Sequence, residues 1–165
     1  MTIDIAAWDR RLARADTFSC GEASIDRWWR EQAGQAERRG SVRLRLAVVD
    51  RRVAGFCALT VREVDPAAVG ERWRGRPQHV PAVLVARLGV AASLHGLGIG
   101  RALIADALRR AGQASAEVGG ELVVVDAKNP DVVDFYLRLG FHRSISAPQT
   151  LWRGLKPTHA LVDAR

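Results

Sequence analysis

The stretch from Arg87 to Ala102 constrains the fold of this chain more than any other part of its sequence. It begins in a largely apolar segment, Val80–Val90, broken by Pro81, and passes through a glycine-rich turn into a predicted helix. Glycine has no Cβ and accepts positive φ, so such a turn lets the backbone approach an anion closely. The helix after the turn directs its unpaired N–H groups and the positive end of its dipole toward that anion. The order strand, glycine turn, helix therefore predicts a pyrophosphate site.

Three phosphate-binding motifs compete for these glycines. A P-loop ends in Gly-Lys-Ser/Thr, and neither Lys nor Ser follows Gly100, which excludes it. The dinucleotide motif Gly-x-Gly-x-x-Gly/Ala fits poorly, because its third position falls on Arg101 or on Leu103, and no acidic residue stands at a strand end about 20 residues further on. The third motif is the acyl-CoA loop Gln/Arg-x-x-Gly-x-Gly/Ala, and a strand–helix turn without a ligand is the remaining alternative.

Two segments carry a resemblance to the GCN5-related N-acetyltransferase (GNAT) superfamily. His95–Gly100 reads His-Gly-Leu-Gly-Ile-Gly and resembles its acyl-CoA pyrophosphate loop, with His95 where Gln or Arg is usual. Asn129–Phe141 resembles its Asn…Tyr-x-x-x-Gly-Phe signature, with Asn129 seven residues before Tyr136, the only tyrosine of the chain. The resemblance implies an α/β (mixed α+β) GNAT fold: a central, mostly antiparallel mixed sheet flanked by helices, with acyl-CoA bound at a splay between central strands.

The resemblance also implies an acetyl-CoA-dependent N-acetyltransferase with Tyr136 as its catalytic residue and without a metal. A thiol with a pKa near 8.5 is a fair leaving group, and a phenol with a pKa near 10 can hydrogen-bond or protonate it. A structural tyrosine is the alternative. The backbone N–H at Val90 is expected to stabilise the thioester oxygen. The expected cofactor-binding residues are Leu88, Gly89, Val90, His95, Gly96, Leu97, Gly98, Ile99, Gly100, Arg101, Ala102 and Asn129.

Three shorter matches are similar to the GNAT toxins of bacterial type II toxin–antitoxin modules: Phe18-x-Cys20-Gly21, Ala86–Val90 and Phe135-Tyr136. They imply acetylation of the α-amino group of an aminoacyl-tRNA, which inhibits translation, and a ribbon-helix-helix antitoxin as partner. The sequence offers no obvious general base, and this favours an α-amine, with a pKa near 7.7, over a lysine amine near 10.4. The alternatives are a GNAT that acetylates a protein N-terminus or a small amine, and a non-catalytic GNAT that binds acyl-CoA or a partner.

A formal net charge of +7 favours a polyanionic partner such as tRNA over a merely solvated surface. The candidate phosphate contacts are Arg27, Arg30, Arg38 and Arg39 on the first predicted helix and Arg72, Arg74 and Arg76 in an arginine-rich loop. Trp28 and Trp29 fall on the apolar face of that helix, which favours core packing over base stacking. Ser19-x-x-Glu22 predicts a capping box at the start of this helix, and Gly40 predicts its end.

At 165 residues the chain is expected to form one domain, 1–165. No apolar run approaches the ~18 residues of a membrane span, and the N-terminal segment lacks the pattern of a signal peptide. Cys20 and Cys57 form neither a disulfide framework nor a metal-binding spacing. Cys57 lies in an apolar run, where a buried small side chain is favoured over an acyl-cysteine intermediate. We therefore expect a soluble cytoplasmic protein without membrane partners, and the sequence leaves a homodimer open.

Overall fold

The computed structural model describes residues 1–15, 17–70, 73, 75–76 and 78–155. Its strands are β1 (Asp4–Ala7), β2 (Arg43–Val49), β3 (Arg52–Val64), β4 (Val80–Val90), β5 (Leu122–Asp126), β6 (His142–Arg143) and β7 (Thr150–Gly154). Its helices are α1 (Arg10–Ala15), α2 (Ala23–Glu31), α3 (Ala33–Arg39), α4 (Pro66–Val69), α5 (Ile99–Val118) and α6 (Pro130–Arg138), with a 3₁₀ turn at Ala92–Leu94.

The strands form a seven-stranded sheet in the order β1-β2-β3-β4-β5-β7-β6. The β1/β2, β2/β3, β5/β7 and β6/β7 pairs are antiparallel, whereas β4 and β5 are parallel. The parallel ladder joins Ala82–Val85 to Leu122–Val125 and ends there, although β4 continues to Val90. The predicted mixed, mostly antiparallel sheet and the splay between its central strands are confirmed.

Burial patterns explain why these segments are strands. In β2, exposed or half-buried arginines alternate with the buried Leu44 and Leu46, as in a strand with one face on the core. In β5, the run Leu122–Val125 is buried throughout, as expected of a strand covered on both faces.

The first of two compact units comprises residues 1–60 and 86–107. Its core is built on aromatic rings: Trp29 stacks on Phe56 with ring centroids 4.6 Å apart, and Phe18 contacts both. Because Trp29 is buried and Trp28 stacks on Phe56 at 6.0 Å, the prediction of core packing for this pair is confirmed.

The second unit comprises residues 61–85 and 108 onward. Its core packs Val69, Trp73 and Val80 against Leu122 and Val124 of β5. The expectation of a single domain over 1–165 stays a prediction. Among the described residues, no helix is both long and apolar enough to cross a membrane.

Two local predictions were wrong. The capping box fails because α2 begins at Ala23, and the Ser19 hydroxyl donates to the Asp26 carboxylate (2.7 Å) instead of capping a helix. The prediction of one continuous first helix was also wrong, since the helix is interrupted at Gln32 and forms α2 and α3. The predicted end at Gly40 is confirmed: it has φ 75°, and the N–H groups of Gly40 and Ser41 donate to the carbonyls of Glu37 and Ala36 in a Schellman pattern.

Candidate functional site

The glycine turn is anchored where it leaves β4. The Ala91 N–H donates to the Ala54 carbonyl of β3 (2.8 Å), and the Ala92 N–H donates to the Ser19 carbonyl (2.9 Å). Gly55 of β3 lies beside this exit, and a Cβ there would come within 2.8 Å of the Gly89 carbonyl oxygen. A side chain at position 55 would therefore displace the end of β4, a constraint that the sequence alone did not reveal.

The turn itself requires glycine at two positions. Gly96 has φ 80° and Gly98 has φ 88°, a region that side chains with a Cβ rarely adopt. Apart from the adjoining residues, no heavy atom of the described part of the chain lies within 4 Å of the position that a Cβ would occupy at either glycine. The backbone of the turn is thus open to the close approach of an anion.

The turn ends at the N-terminus of α5. Gly98, immediately before Ile99, has no side chain with which to cap the helix, and the first helical hydrogen bond runs from the Ala102 N–H to the Gly98 carbonyl (3.0 Å). The N–H groups of Ile99, Gly100 and Arg101 precede that bond and have no partner within the helix. Together with the dipole of a 20-residue helix they favour a bound anion.

The side chains of the turn have separate tasks. Ile99 is buried and fixes the start of α5, whereas Leu97 is 52% exposed. The His95 ring bends back so that its Nε2 lies 2.8 Å from the carbonyl oxygen of Val90. His95 therefore joins the turn to the end of β4, a contact that a comparison of motifs could not predict.

A buried carboxylate on α2 supports the turn through the loop that precedes this helix. Asp26 accepts the Cys20 N–H at 2.8 Å and the Ser19 hydroxyl at 2.7 Å, while the Ser19 carbonyl accepts the Ala92 N–H. Burial opposes ionisation of Asp26, but the Cys20 and Ser19 hydrogen bonds and the nearby Arg30 guanidinium outweigh it, so its pKa is lowered. No pattern in the sequence signalled this role of Asp26.

Neither cysteine has the character of a nucleophile. Burial raises the pKa of the Cys20 thiol to about 11, so it is protonated at neutral pH. Cys57 is only 1% exposed in β3, which agrees with the buried role that its sequence context favours.

Tyr136 is held from both ends of α6. At the start, the Asn129 side-chain carbonyl accepts the Val132 N–H (3.1 Å), and Pro130 occupies the first turn. At the end, the N–H groups of Gly140 and Phe141 donate to the carbonyls of Leu137 and Tyr136 in a Schellman pattern, with Gly140 at φ 84°.

The ring of Tyr136 is 1% exposed and packs edge-on against Phe135 and Phe141, with centroids 5.0 and 5.2 Å away. The predicted cap at Asn129 and the helix end at Gly140 are confirmed. The predicted cofactor residues 88–90 and 95–102 lie in the first unit, and Asn129 and Tyr136 lie in the second.

The predicted phosphate contacts divide into three groups. Arg27, Arg30, Arg38 and Arg39 are exposed on α2 and α3. Arg76 is engaged, since it pairs with Glu121 (2.6 Å) and lies over the ring of the buried Trp73. Arg72 and Arg74 lie outside the described residues. The described residues include no group of three metal-binding side chains.

Comparisons with known proteins agree with this geometry. The profile of the Acetyltransferase (GNAT) family matches residues 5–141. A curated relative from Mycobacterium tuberculosis (strain ATCC 25618 / H37Rv), a tRNA-acetylating toxin, is 34% identical over 93% of this chain and 95% of its own.

Solved toxin structures share the fold. A tyrosine-to-phenylalanine mutant of KacT superposes with a TM-score of 0.86 at 22% identity, covering 100% of both chains. AtaT complexed with acetyl-methionyl-tRNAfMet superposes with a TM-score of 0.80 at 24% identity over 99% of both chains. A further structure shows a tyrosine-to-phenylalanine mutant of AtaT with acetyl-CoA and the C-terminus of the antitoxin AtaR, with a TM-score of 0.78 at 24% identity over 99% of both chains.

Proposed function

The chain belongs to the acetyltransferase (GNAT) family, and on that premise we propose that it is a toxin that acetylates the α-amino group of aminoacyl-tRNA. The acetyl donor is acetyl-CoA, and the modified tRNA blocks translation. The observation that carries the proposal is the 34% identity to a tRNA-acetylating toxin over 93% of the chain.

The glycine turn is the proposed pyrophosphate site. Its positive-φ glycines leave space for an anion, and the first N–H groups of α5 have no partner within the helix. The pantetheine arm would run along Leu88–Val90, and the Val90 N–H would stabilise the thioester oxygen. The full proposed set is Leu88, Gly89, Val90, His95, Gly96, Leu97, Gly98, Ile99, Gly100, Arg101, Ala102 and Asn129.

Tyr136 is the proposed general acid. The amine nitrogen attacks the thioester carbon, the carbon–sulfur bond breaks, and the departing thiolate takes the phenolic proton. The amine releases one proton to water, and water returns one to the phenolate, so the step balances. Two toxins of this fold were made as tyrosine-to-phenylalanine mutants, and Tyr136 is the only tyrosine available here.

An α-amine suits a site without a strong base. Its pKa near 7.7 leaves a large neutral fraction at pH 7–8, whereas a lysine amine near 10.4 is almost fully charged. The charge of +7 points the same way, because it attracts a polyanion and repels cationic small amines.

An antitoxin belongs to the same proposal. AtaT has been solved with the C-terminus of its antitoxin AtaR, and KacTA with DNA. By analogy we propose an antitoxin partner for this chain; that this partner has a ribbon-helix-helix DNA-binding half and that the toxin acts in the cytoplasm follow from the family resemblance of the sequence.

The decisive experiment incubates the purified protein with labelled acetyl-CoA and a pool of charged tRNA. The expected product is N-acetyl-aminoacyl-tRNA, identified by mass spectrometry after nuclease digestion. Acetylation of ribosomal proteins or peptides, with the tRNA unmodified, would favour the protein N-terminus alternative. Binding of acetyl-CoA without turnover on either substrate would identify a non-catalytic GNAT.

Expression in cells gives an independent test. Without an antitoxin the wild-type chain should arrest growth, and Tyr136→Phe should relieve the arrest at equal protein level. Equal arrest by both forms would contradict the proposed role of the phenol.

A further inference from the structure

A groove on the first unit has the chemistry of a polyanion site. It encloses about 400 Å³ and is lined by α1, α2, α3 and the segment around Thr17 and Phe18. Among the residues that the structure describes, four arginines line it, and Glu31 is the one acidic side chain that does so. Its arginines are Arg10, Arg14, Arg30 and Arg38, of which Arg10 and Arg14 had no place among the candidates from the sequence.

These guanidinium groups are available to a ligand. Arg10 and Arg14 are exposed one helical turn apart, so both project from the same side of α1. Arg30 and Arg38 are exposed on α2 and α3. Within the described part of the chain, none of the four forms a salt bridge, although Arg30 acts electrostatically on Asp26.

Aromatic side chains lie among the cations. Trp8 and Trp29 line the groove, with their rings 5.6 Å apart, and Trp8 remains partly exposed. Gly34 also lines it, and a Cβ there would come within 3.4 Å of the Trp8 ring and 3.6 Å of the Arg38 guanidinium. Glycine is a poor helix former, and inside α3 it destabilises the helix relative to alanine. Here it keeps the wall beside Trp8 open.

We propose that this groove binds the sugar–phosphate backbone of tRNA through Arg10, Arg14, Arg30 and Arg38. Arginine pairs with phosphate through its planar fork, and partly exposed aromatic rings among cations are typical of nucleic-acid surfaces. An acidic peptide would satisfy the cations but makes less use of the exposed indole of Trp8. The inference rests on the proposed function for the identity of the RNA.

The groove is connected to the acetyl-CoA turn through Phe18. Phe18 lines the groove, and its ring lies 3.4 Å from where a Cβ on Gly89 of β4 would stand. The next residue, Ser19, accepts the Ala92 N–H at the entrance of the turn. RNA bound in the groove therefore rests on the same loop that supports the proposed pyrophosphate site.

The test compares two double variants that each remove two exposed positive charges. Arg14→Gln/Arg38→Gln alters the groove, and Arg11→Gln/Arg52→Gln alters exposed arginines that do not line it. Arg30 is left in place because it also lowers the pKa of Asp26. The probe is deacylated bulk tRNA, with affinity measured by filter binding between about 50 and 200 mM KCl, and a thermal melt checks that both variants fold.

We expect the groove variant to bind tRNA roughly 10- to 100-fold more weakly near 0.1 M salt, with the log–log salt slope reduced by about two. For the control variant we expect a tRNA affinity and a salt slope close to those of the wild type. Equal losses of tRNA affinity in both variants, or no loss in either, would contradict the proposal that the groove binds tRNA. Loss of poly-glutamate binding with tRNA binding retained would assign the groove to an acidic peptide and overturn the proposal likewise.

Acetyl transfer separates this inference from the proposed function. If the wild type acetylates aminoacyl-tRNA and the groove variant does so with unchanged KM, the proposed role of the groove is wrong and the toxin assignment stands. If tRNA binding depends on the groove but no aminoacyl-tRNA is acetylated, the groove stands and the proposed reaction is wrong.

Discussion

Two junctions of this molecule lead from a strand into a helix, and they are built in opposite ways. Between β5 and α6, the Asn129 side chain accepts the Val132 N–H, and Pro130 presets the first turn. Between β4 and α5, the residue before the helix is Gly98, which has no side chain to donate or accept. The start of α6 is capped by its own sequence, whereas the start of α5 leaves N–H groups without a partner in the helix, where we propose that the anion binds.

The difference fits the proposed division of function between the junctions. A capped start holds a helix in place, and α6 carries Tyr136 between a cap at one end and a Schellman pattern at the other. An uncapped start with positive-φ glycines suits the proposed anion site, and the turn is held by contacts with Ala54 and Ser19 and by its own His95. We therefore expect mutations at α6 to change turnover and mutations at the glycine turn to change acetyl-CoA affinity.

The largest effect is expected from Tyr136→Phe. Removal of the phenolic hydroxyl should lower kcat by about 10²- to 10⁴-fold, as for a positioned general acid, and leave the Kd of acetyl-CoA unchanged. Rapid-quench or steady-state assays near neutral pH and calorimetric titration measure the two quantities. Equal kcat in both proteins would identify a purely structural tyrosine.

The next effect concerns Asp26, which supports the glycine turn through Ser19. Its pKa is lowered in the folded state, so its contribution to stability is present above the unfolded pKa near 3.9 and is lost as pH falls through the folded pKa. At pH 7, Asp26→Asn should reduce the free energy of unfolding by roughly 1.5–3 kcal/mol, as for hydrogen bonds to a charged group.

Urea unfolding of the wild type and Asp26→Asn at several pH values checks this prediction. The difference between the two proteins should stay nearly constant from neutral pH down to about 5 and should shrink below that, as the pH falls toward the lowered folded pKa of Asp26. Acetyl-CoA affinity at neutral pH should fall together with stability, because the Ser19 carbonyl holds the Ala92 N–H. A difference in stability that is independent of pH would mean that the charge of Asp26 has no part in the effect.

A third prediction separates binding from strain. Gly98→Ala and Gly119→Ala both place a Cβ at positive φ, 88° and 97°, with no heavy atom within 4 Å. Both should destabilise the protein by about 1–2 kcal/mol. Only Gly98→Ala should also weaken acetyl-CoA binding, by about tenfold or 1.4 kcal/mol, as measured by calorimetry. If the two variants bind acetyl-CoA with equal affinity, the pyrophosphate does not bind at this turn.

The two junctions also show how far local sequence patterns reach. The positions of Gly96, Gly98, Asn129 and Gly140 were predictable, because each satisfies a local rule about φ or a helix end. The hydrogen bonds of Asp26 with Ser19 and Cys20 were not predictable, because these residues meet only when the segment before α2 folds back against the helix. The groove was hidden for the same reason, because it forms only when separate helices pack together.

Groove residues illustrate the limit further. Arg10 and Arg14 stand in a helix of six residues, and their relation to Arg38 depends on how α1 packs beside α3. From charge alone, all arginines of the first predicted helix were equal candidates for phosphate contacts. In the structure, Arg30 and Arg38 line the groove, whereas Arg27 and Arg39 do not. Tertiary packing, which no local pattern encodes, decides between them.

A fourth prediction tests whether Asn129 only caps α6 or also binds the cofactor. Asn129→Ala should lower stability by about 1 kcal/mol through loss of the cap, whereas Asn129→Asp should keep the cap and the stability. If Asn129 also binds acetyl-CoA, the Asp variant should show reduced affinity at full stability, since it loses the amide donor. Unchanged affinity in Asn129→Asp would restrict the residue to capping and withdraw it from the proposed cofactor site.

The smallest effect is expected at His95, the position where this chain departs from the Gln or Arg of the family loop. Its Nε2 contacts the Val90 carbonyl at an exposed site, and such a hydrogen bond contributes roughly 0.5–1.5 kcal/mol. His95→Ala should therefore raise the Kd of acetyl-CoA a few-fold and leave kcat unchanged. His95→Gln restores a longer polar side chain and should recover most of the affinity if the contact with Val90 is responsible. If His95→Ala binds acetyl-CoA as tightly as the wild type, the backbone of the turn alone holds the pyrophosphate. The junction would then be stabilised by Ala54 and Ser19 without help from the side chain at position 95.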